Sequence, residues 1–180
     1  MLLNLSVLSD DLKKGAFEIA DTLGITHSED AKPVVAEKSD LPSVSVADDK
    51  VVICYNKKVE FFRMLSMVKD VKNGETYRET PRHTSLSYMA DQSRNAVFNV
   101  PSAKRMVRYL AALGYTEFML YTEDTYEVEN QPYFGHNRGR YSTEELKDFI
   151  EEYTIVELEE WFLELVAEYK KWAEFQIDWR

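Results

Sequence analysis

Two polar clusters in this 180-residue chain sit where chemistry is usually built. Asp91, Gln92, Ser93, Arg94 and Asn95 directly follow the apolar run 86–90, and Thr122, Glu123 and Asp124 directly follow the run 117–121. Between the two runs Pro101 suits the first turn of a helix whose apolar side is Ala103, Met106, Val107, Leu110 and Leu113, stopped by Gly114. Strand, helix and strand make a βαβ pattern, and in parallel α/β architectures sites form at the carboxyl ends of strands. An arginine at such an end offers several fixed N–H donors to neighbouring oxygens, and carboxylates accept from hydroxyls. Plainer readings stand beside this one: Arg94 as a surface arginine or a partner for Asp91, and Glu123 with Asp124 as a turn or helix-cap pair. His27, His83 and His136 have no partners at ligand spacing and read as solvated loop histidines. Cys54 stands alone, so no internal disulfide forms, and neither a metal site nor a cofactor is expected.

The elements that must hold these clusters can be traced outward. Residues 2–7 read as a strand, and Ser9 as the cap of a helix with Leu12, Ala16, Ile19, Ala20 and Leu23 on one face and Gly24 as its stop. Residues 26–42 read as a loop with at most one strand around 34–36. Residues 43–47 and 51–55 flank an Asp-Asp-Lys turn in a hairpin pattern. Val59, Phe62, Leu65 and Val68 stripe a second helix that ends near Gly74. After an aromatic, glycine-rich and arginine-rich loop over 125–140, Ser142, Thr143, Glu144 and Glu145 form a capping box that starts another helix. Ile155, Leu158, Phe162, Leu165, Tyr169, Trp172 and Gln176 then fall at alternating spacings of three and four, a heptad stripe suited to covering a sheet or pairing with another chain.

Composition narrows the function classes. A content of 44% hydrophobic and 13% aromatic residues is that of a folded chain, not of a disordered acidic tail. No apolar run approaches the roughly 20 residues that span a bilayer, and the first residues lack a basic, cleavable leader pattern, so a soluble, cytoplasmic protein is expected. A formal charge of -10 argues against nucleic acid as a partner. That charge is uneven: residues 141–180 hold twelve acids and four bases, a net of -8, whereas residues 1–140 hold twenty and eighteen, a net of -2.

The strand-end clusters belong to a longer pattern. MADQSRN at 89–95, LYTEDTYEV at 120–128, PYFG at 132–135 and RGRYS at 138–142 together resemble the start of the catalytic barrel in family 20 glycoside hydrolases, the β-N-acetylhexosaminidases, and more closely the bacterial intracellular branch. Upstream, KKVEFFRMLSMVKD at 57–70 resembles the helix of the small α/β domain that precedes that barrel. The resemblance covers residues 50–149. It implies an α/β fold, with α+β as the alternative. Residues 1–80 would form a small α/β domain with helices on one face of a short sheet. Residues 81–180 would hold a βαβ unit resembling the start of a TIM barrel, then long acidic C-terminal helices.

The resemblance also assigns roles. Arg94 matches the arginine that holds the hydroxyls of the terminal sugar, Glu123 and Asp124 match the acidic pair ending the second barrel strand, and Asp91 matches a supporting position. The aromatic loop over 126–141 is then either a surface for stacking a sugar or packing at the barrel rim. Family members cleave with help from the substrate's own 2-acetamido group, steadied by an aspartate beside a glutamate general acid, an exception to the usual two-carboxylate scheme. No Asp-Glu dipeptide occurs anywhere in this sequence, and a complete barrel takes roughly 250 residues. No catalytic residue is therefore assigned. The expectation is a truncated or internally deleted β-N-acetylhexosaminidase-like chain, inactive by itself. Its partner would be a terminal N-acetylhexosamine, with no membrane or nucleic acid involved. The alternative is a non-catalytic interaction or self-association module from the same family, a homo-oligomer through its C-terminal helix.

Overall fold

A computed structural model describes residues 1–94 and 96–156, with side chains through residue 150. The heptad stripe from Leu158 to Gln176 lies outside the described residues, as does the side chain of Ile155.

The first strand is shorter than its apolar pattern suggests. β1 covers Leu2–Leu3 and pairs in parallel with β2, Thr26–His27. It stops because the Asn4 side chain accepts from the Ser6 N–H at 3.0 Å and from the Ser6 hydroxyl at 2.7 Å, turning the chain away. Between them runs helix α1, Asp10–Leu23, which buries Leu12, Ala16, Ile19 and Ala20 as their spacing requires. Ser9 stands at its N-cap without the expected side-chain bond to the helix, because its hydroxyl donates to Asp11 Oδ1 at 2.6 Å.

A four-stranded sheet follows, in the order β3, β5, β4, β6. β3 is Val34–Lys38, β4 Ser43–Val46, β5 Val51–Tyr55 and β6 Thr76–Arg78. β4 and β5 form the expected antiparallel hairpin, whereas β3 lies parallel to β5. The region 26–42 therefore contributes two strands where at most one was legible. β6 has a single half-buried side chain, Tyr77, so it carries no alternating pattern to read. Asn4 bridges to Pro33, which sets the β1–β2 ribbon beside the start of β3.

Val34, Val44, Val51 and Ile53 bury one face of this sheet. Helix α2, Lys58–Met67, lies against β4 and β5 and continues as a short 3-10 turn, Val68–Asp70. Its buried Val59, Phe61, Phe62, Met64 and Leu65 face two sides at once, the sheet and the next layer. That layer is helix α3, Val100–Leu113, with Asn99 accepting from the Ser102 N–H at its N-cap and Gly114 in the left-handed region at its end. α3 joins β7, Ser87–Asp91, to β8, Glu117–Tyr121, and these strands pair in parallel over five residues. α3 packs on α2, and the Ser66 hydroxyl reaches across to the Ala112 carbonyl at 2.9 Å.

Helix α4, Thr143–Val156, opens on the predicted capping box. Glu145 accepts from the Ser142 N–H at 2.8 Å while its own N–H donates to the Ser142 hydroxyl at 3.1 Å. Phe149 is buried on Phe118 of β8, ring edge to ring face at 6.2 Å. One buried cluster runs from Leu3 to Phe149 through the four-stranded sheet, the helices and the β7–β8 pair. The molecule is thus mixed α/β with helices laid on one face of a short sheet, and the described strands close no barrel.

Candidate functional site

The carboxyl ends of β7 and β8 lie side by side, because the strands are parallel and in register from Ser87 with Glu117 to Asp91 with Tyr121. The Gln92 N–H donates to the Tyr121 carbonyl at 2.9 Å, closing the ladder one residue further. Beyond that point the chain turns on Asp91. Its Oδ1 accepts from the Ser93 N–H at 2.9 Å, the Ser93 hydroxyl at 2.8 Å and the Arg94 N–H at 3.1 Å. Its Oδ2 accepts from Arg94 Nη1 at 3.0 Å. These donors, the Ser93 hydroxyl foremost, hold the Asp91 carboxyl down at about 2. Asp91 is therefore a fixed carboxylate that folds Arg94 back over the strand end.

Arg94 reaches the second strand as well. Its Nη2 stands 3.8 Å from Glu123 Oε1, and its guanidinium carbon lies 5.5 Å from the centre of the Tyr121 ring. The Tyr121 hydroxyl donates to the same Glu123 oxygen at 2.8 Å. Glu123 adopts φ 46°, a left-handed backbone that a non-glycine residue enters at a cost, at a strand end where its side chain turns toward Arg94. The Arg94 side chain remains 69% exposed, so donors are left over for oxygens of a ligand. The structure brings Asp91, Arg94 and Glu123 together.

Asp124 goes elsewhere. Its Oδ1 lies 3.7 Å from Arg138 Nη1, an ion pair too long for a hydrogen bond, and no hydrogen-bond donor reaches that shielded oxygen among the described residues. Gly135, in the PYFG turn at φ 64°, presses on the Asp124 carbonyl so closely that a Cβ there would stand 2.1 Å from it. The acidic dipeptide therefore splits between two jobs: Glu123 faces Arg94, and Asp124 ties the strand end to the loop over 131–140.

Several supporting residues have no obvious signal in the sequence. Gln92, 1% exposed, accepts from the Phe98 N–H at 2.6 Å and lies 3.4 Å from the Tyr141 hydroxyl, pinning the turn after β7 to the segment before α4. Burial pushes the Tyr141 phenol up to about 12, so it stays a donor. Tyr121 could have been placed on the face of Glu117 and Met119 from the two-residue strand period, but its contact with Arg94 depends on the neighbouring strand.

Chemically, this corner can grip oxygens. Asp91 and Glu123 both sit beside Arg94, and for Asp91 the converging donors favour the ionised, accepting form. A general acid near neutral pH needs a raised carboxyl, the opposite of Asp91. Among the described residues no group of three His, Cys, Asp or Glu side chains is placed to hold a metal ion. The three histidines stand apart: His27 Nδ1 accepts from the Leu5 N–H, His136 meets Asn137, and His83 lies on the segment before β7. No described helix is long and apolar enough to cross a membrane.

No protein-family model and no curated protein sequence matches the chain. Solved structures do. A mutant β-hexosaminidase of Streptomyces plicatus in complex with its product GlcNAc superposes with a TM-score of 0.68 at 18% identity, over 88% of this chain and 40% of that one. The GH20 exo-β-N-acetylglucosaminidase of Vibrio harveyi in complex with N-acetylglucosamine gives 0.67 at 14% identity, over 87% and 31%. The chitobiase of Flavobacterium johnsoniae gives 0.64 at 16% identity, over 88% and 30%. The 180 residues thus span less than half the length of these enzymes. In fold, nearly the whole described chain is similar to part of a GH20 β-N-acetylhexosaminidase.

Proposed function

We propose that the chain is the leading α/β portion and the first βαβ unit of a β-N-acetylhexosaminidase-like glycoside hydrolase. In this reading Arg94, buttressed by Asp91 and Glu123, holds the hydroxyls of a terminal N-acetylhexosamine. The observation that carries it is the placement of one exposed guanidinium between two carboxylates at the carboxyl ends of adjacent parallel strands. The fold likeness to enzymes solved with N-acetylglucosamine supports the choice of sugar. A guanidinium flanked by carboxylates presents donors and acceptors side by side, which is what neighbouring sugar hydroxyls require. Asp124 acts one step removed, by fixing the loop that walls this corner.

These 180 residues contain no consecutive Asp-Glu pair, so the acetamido-orienting aspartate and the general acid must come from other residues if hydrolysis is to occur. General acid catalysis alone contributes about 10²–10⁴-fold, so no turnover is expected from the isolated chain. Assay of a chromogenic N-acetylglucosaminide, with calorimetry of N-acetylglucosamine, tests both halves. The expected result is binding that Arg94→Ala abolishes, without release of chromophore. Cleavage lost in Arg94→Ala would refute the inactive reading, and binding untouched by that change would refute the site. The single cysteine and the composition favour a cytoplasmic location, which cell fractionation checks.

A second reading, a non-catalytic interaction or self-association module, is favoured by one observation. β7 and β8 pair only with each other among the described residues, and Met89 on β7 is 58% exposed. Parallel pairs in stable proteins are covered on both faces, so this one invites further strands. A strictly monomeric mass in solution would remove self-association.

A further inference from the structure

The opposite end of the β7–β8 pair carries a second concave surface. A cavity of about 600 Å3 opens there, within the size range of small-molecule sites. One wall is the first turns of α2, another the segment 79–84, and the third the turn after α3. Leu86 precedes β7 and Thr116 precedes β8, so the cavity lies at the amino ends of the strands. Arg94 lies at their carboxyl ends, roughly 15 Å away along five residues of strand.

Charge on the cavity wall is unbalanced in one direction. Glu79 is consumed by Arg63, whose Nη2 and Nε donate to Oε1 at 2.6 and 3.1 Å, and by the Tyr77 hydroxyl at 2.7 Å. Glu60, the other carboxylate on the wall, turns its Oε2 to the backbone N–H groups of Asn56 and Lys57, which leaves three cations, Lys57, Arg63 and Arg82, against two carboxylates in the lining. Glu117, near the rim, already accepts from the Ser85 and Ser87 hydroxyls and is held below its ordinary range by them and by the Lys57 charge. Arg82 and Lys57 remain as cations, with His83 beside them. Among the described residues none of Arg82, Lys57 and His83 forms an ion pair, and Lys57 Nζ donates only to the Thr84 carbonyl at 3.2 Å. This cationic rim belongs to a chain of net charge -10, whose general field would repel an anion.

The remaining wall is apolar. Leu86 is 42% exposed and Leu113 59% exposed, with Val59 beside them. Large aliphatic side chains in open view, next to Lys57 and Arg82, which form no ion pair among the described residues, suit a ligand with an apolar body and a charged head.

We propose that this cavity binds a small organic anion, a monophosphate or carboxylate with a compact apolar body. Arg82 and Lys57 take the anionic head, while Leu86 and Leu113 pack the body. Because the cavity lies at the amino ends of the strands that finish at Asp91 and Tyr121, its occupant would be a second ligand, separate from anything held by Arg94.

Phenyl phosphate serves as the probe, titrated calorimetrically into the full chain at low ionic strength, with phenol and benzoate in parallel. Saturable binding of phenyl phosphate is expected, with benzoate weaker and phenol weaker still. Arg82→Ala and Lys57→Ala should each lower affinity roughly tenfold, the scale of one lost charge-assisted hydrogen bond. Arg82 is exposed and makes no described contact, so its removal leaves folding intact, which the unchanged melting curve would verify. Arg94→Ala should leave phenyl phosphate affinity unchanged, which separates failure here from failure of the sugar site. Absence of saturable heat, equal binding of phenol, or insensitivity to both cation removals would each overturn the proposal.

Discussion

At the scale of single residues, Asp91 decides whether Arg94 is a site or a loose surface cation. Four hydrogen bonds converge on its carboxylate, and they exist only in the folded turn. Its folded value of about 2 lies below the ordinary 3.8, so the unfolded chain binds the proton more readily. The stabilisation is therefore complete above pH 4 and drains away as pH falls toward 2. Carboxyl-carbon titration by NMR should find Asp91 among the last acids to protonate, and Asp91→Asn should flatten the acid limb of the stability curve. A titration midpoint for Asp91 near 4 would mean the turn is not formed in solution. Asparagine keeps the turn acceptor but loses the ionic partner of Arg94, so the same variant should weaken sugar binding more than it weakens the fold.

At the scale of elements, the loop over 131–140 and helix α4 hold the corner in shape, and each hangs on one residue. Gly135 is required twice over, for its positive φ and for its closeness to the Asp124 carbonyl. Gly135→Ala should cost about 1–3 kcal/mol and move the loop off the strand end, read as a lowered denaturation midpoint together with weaker sugar binding. Gly74, also at positive φ but with open space around it, offers the comparison: alanine there costs only the backbone strain. Phe149 anchors α4 on Phe118, so Phe149→Ala should cost about 3–5 kcal/mol and expose α4 amides to hydrogen exchange before those of α3. Protection of α4 unchanged by that substitution would show that other contacts, such as Lys104 with Asp148 at 2.7 Å, hold the helix.

At the scale of the whole molecule, α3 belongs by connection to the β7–β8 pair and by packing to α1 and α2. Arg108 on α3 reaches Glu18 on α1 at 2.7 Å, and Ser66 on α2 reaches α3. A core shared in this way predicts one cooperative unfolding transition, with near-ultraviolet and far-ultraviolet signals melting together. Two separated midpoints would show that residues 1–80 and the βαβ unit fold independently. What the sequence by itself determined follows from short-range physics. Apolar spacing, the proline at the start of α3, the glycines after α1 and α3 and the capping box of α4 each act within one or two turns of chain, so the helices were legible with little error. The strand-end position of Arg94, Glu123 and Asp124 was legible for the same reason. β2 and β6 were not, because two- or three-residue strands carry no period and exist only through the partners that bond them. Only the tertiary structure decided that Glu123 faces Arg94 while its neighbour Asp124 faces Arg138, since a left-handed φ at Glu123 turns adjacent carboxylates apart. The cavity at the amino ends belongs with these: its walls come from residues as far apart as Pro42 and Thr116, and no local pattern brings such residues together.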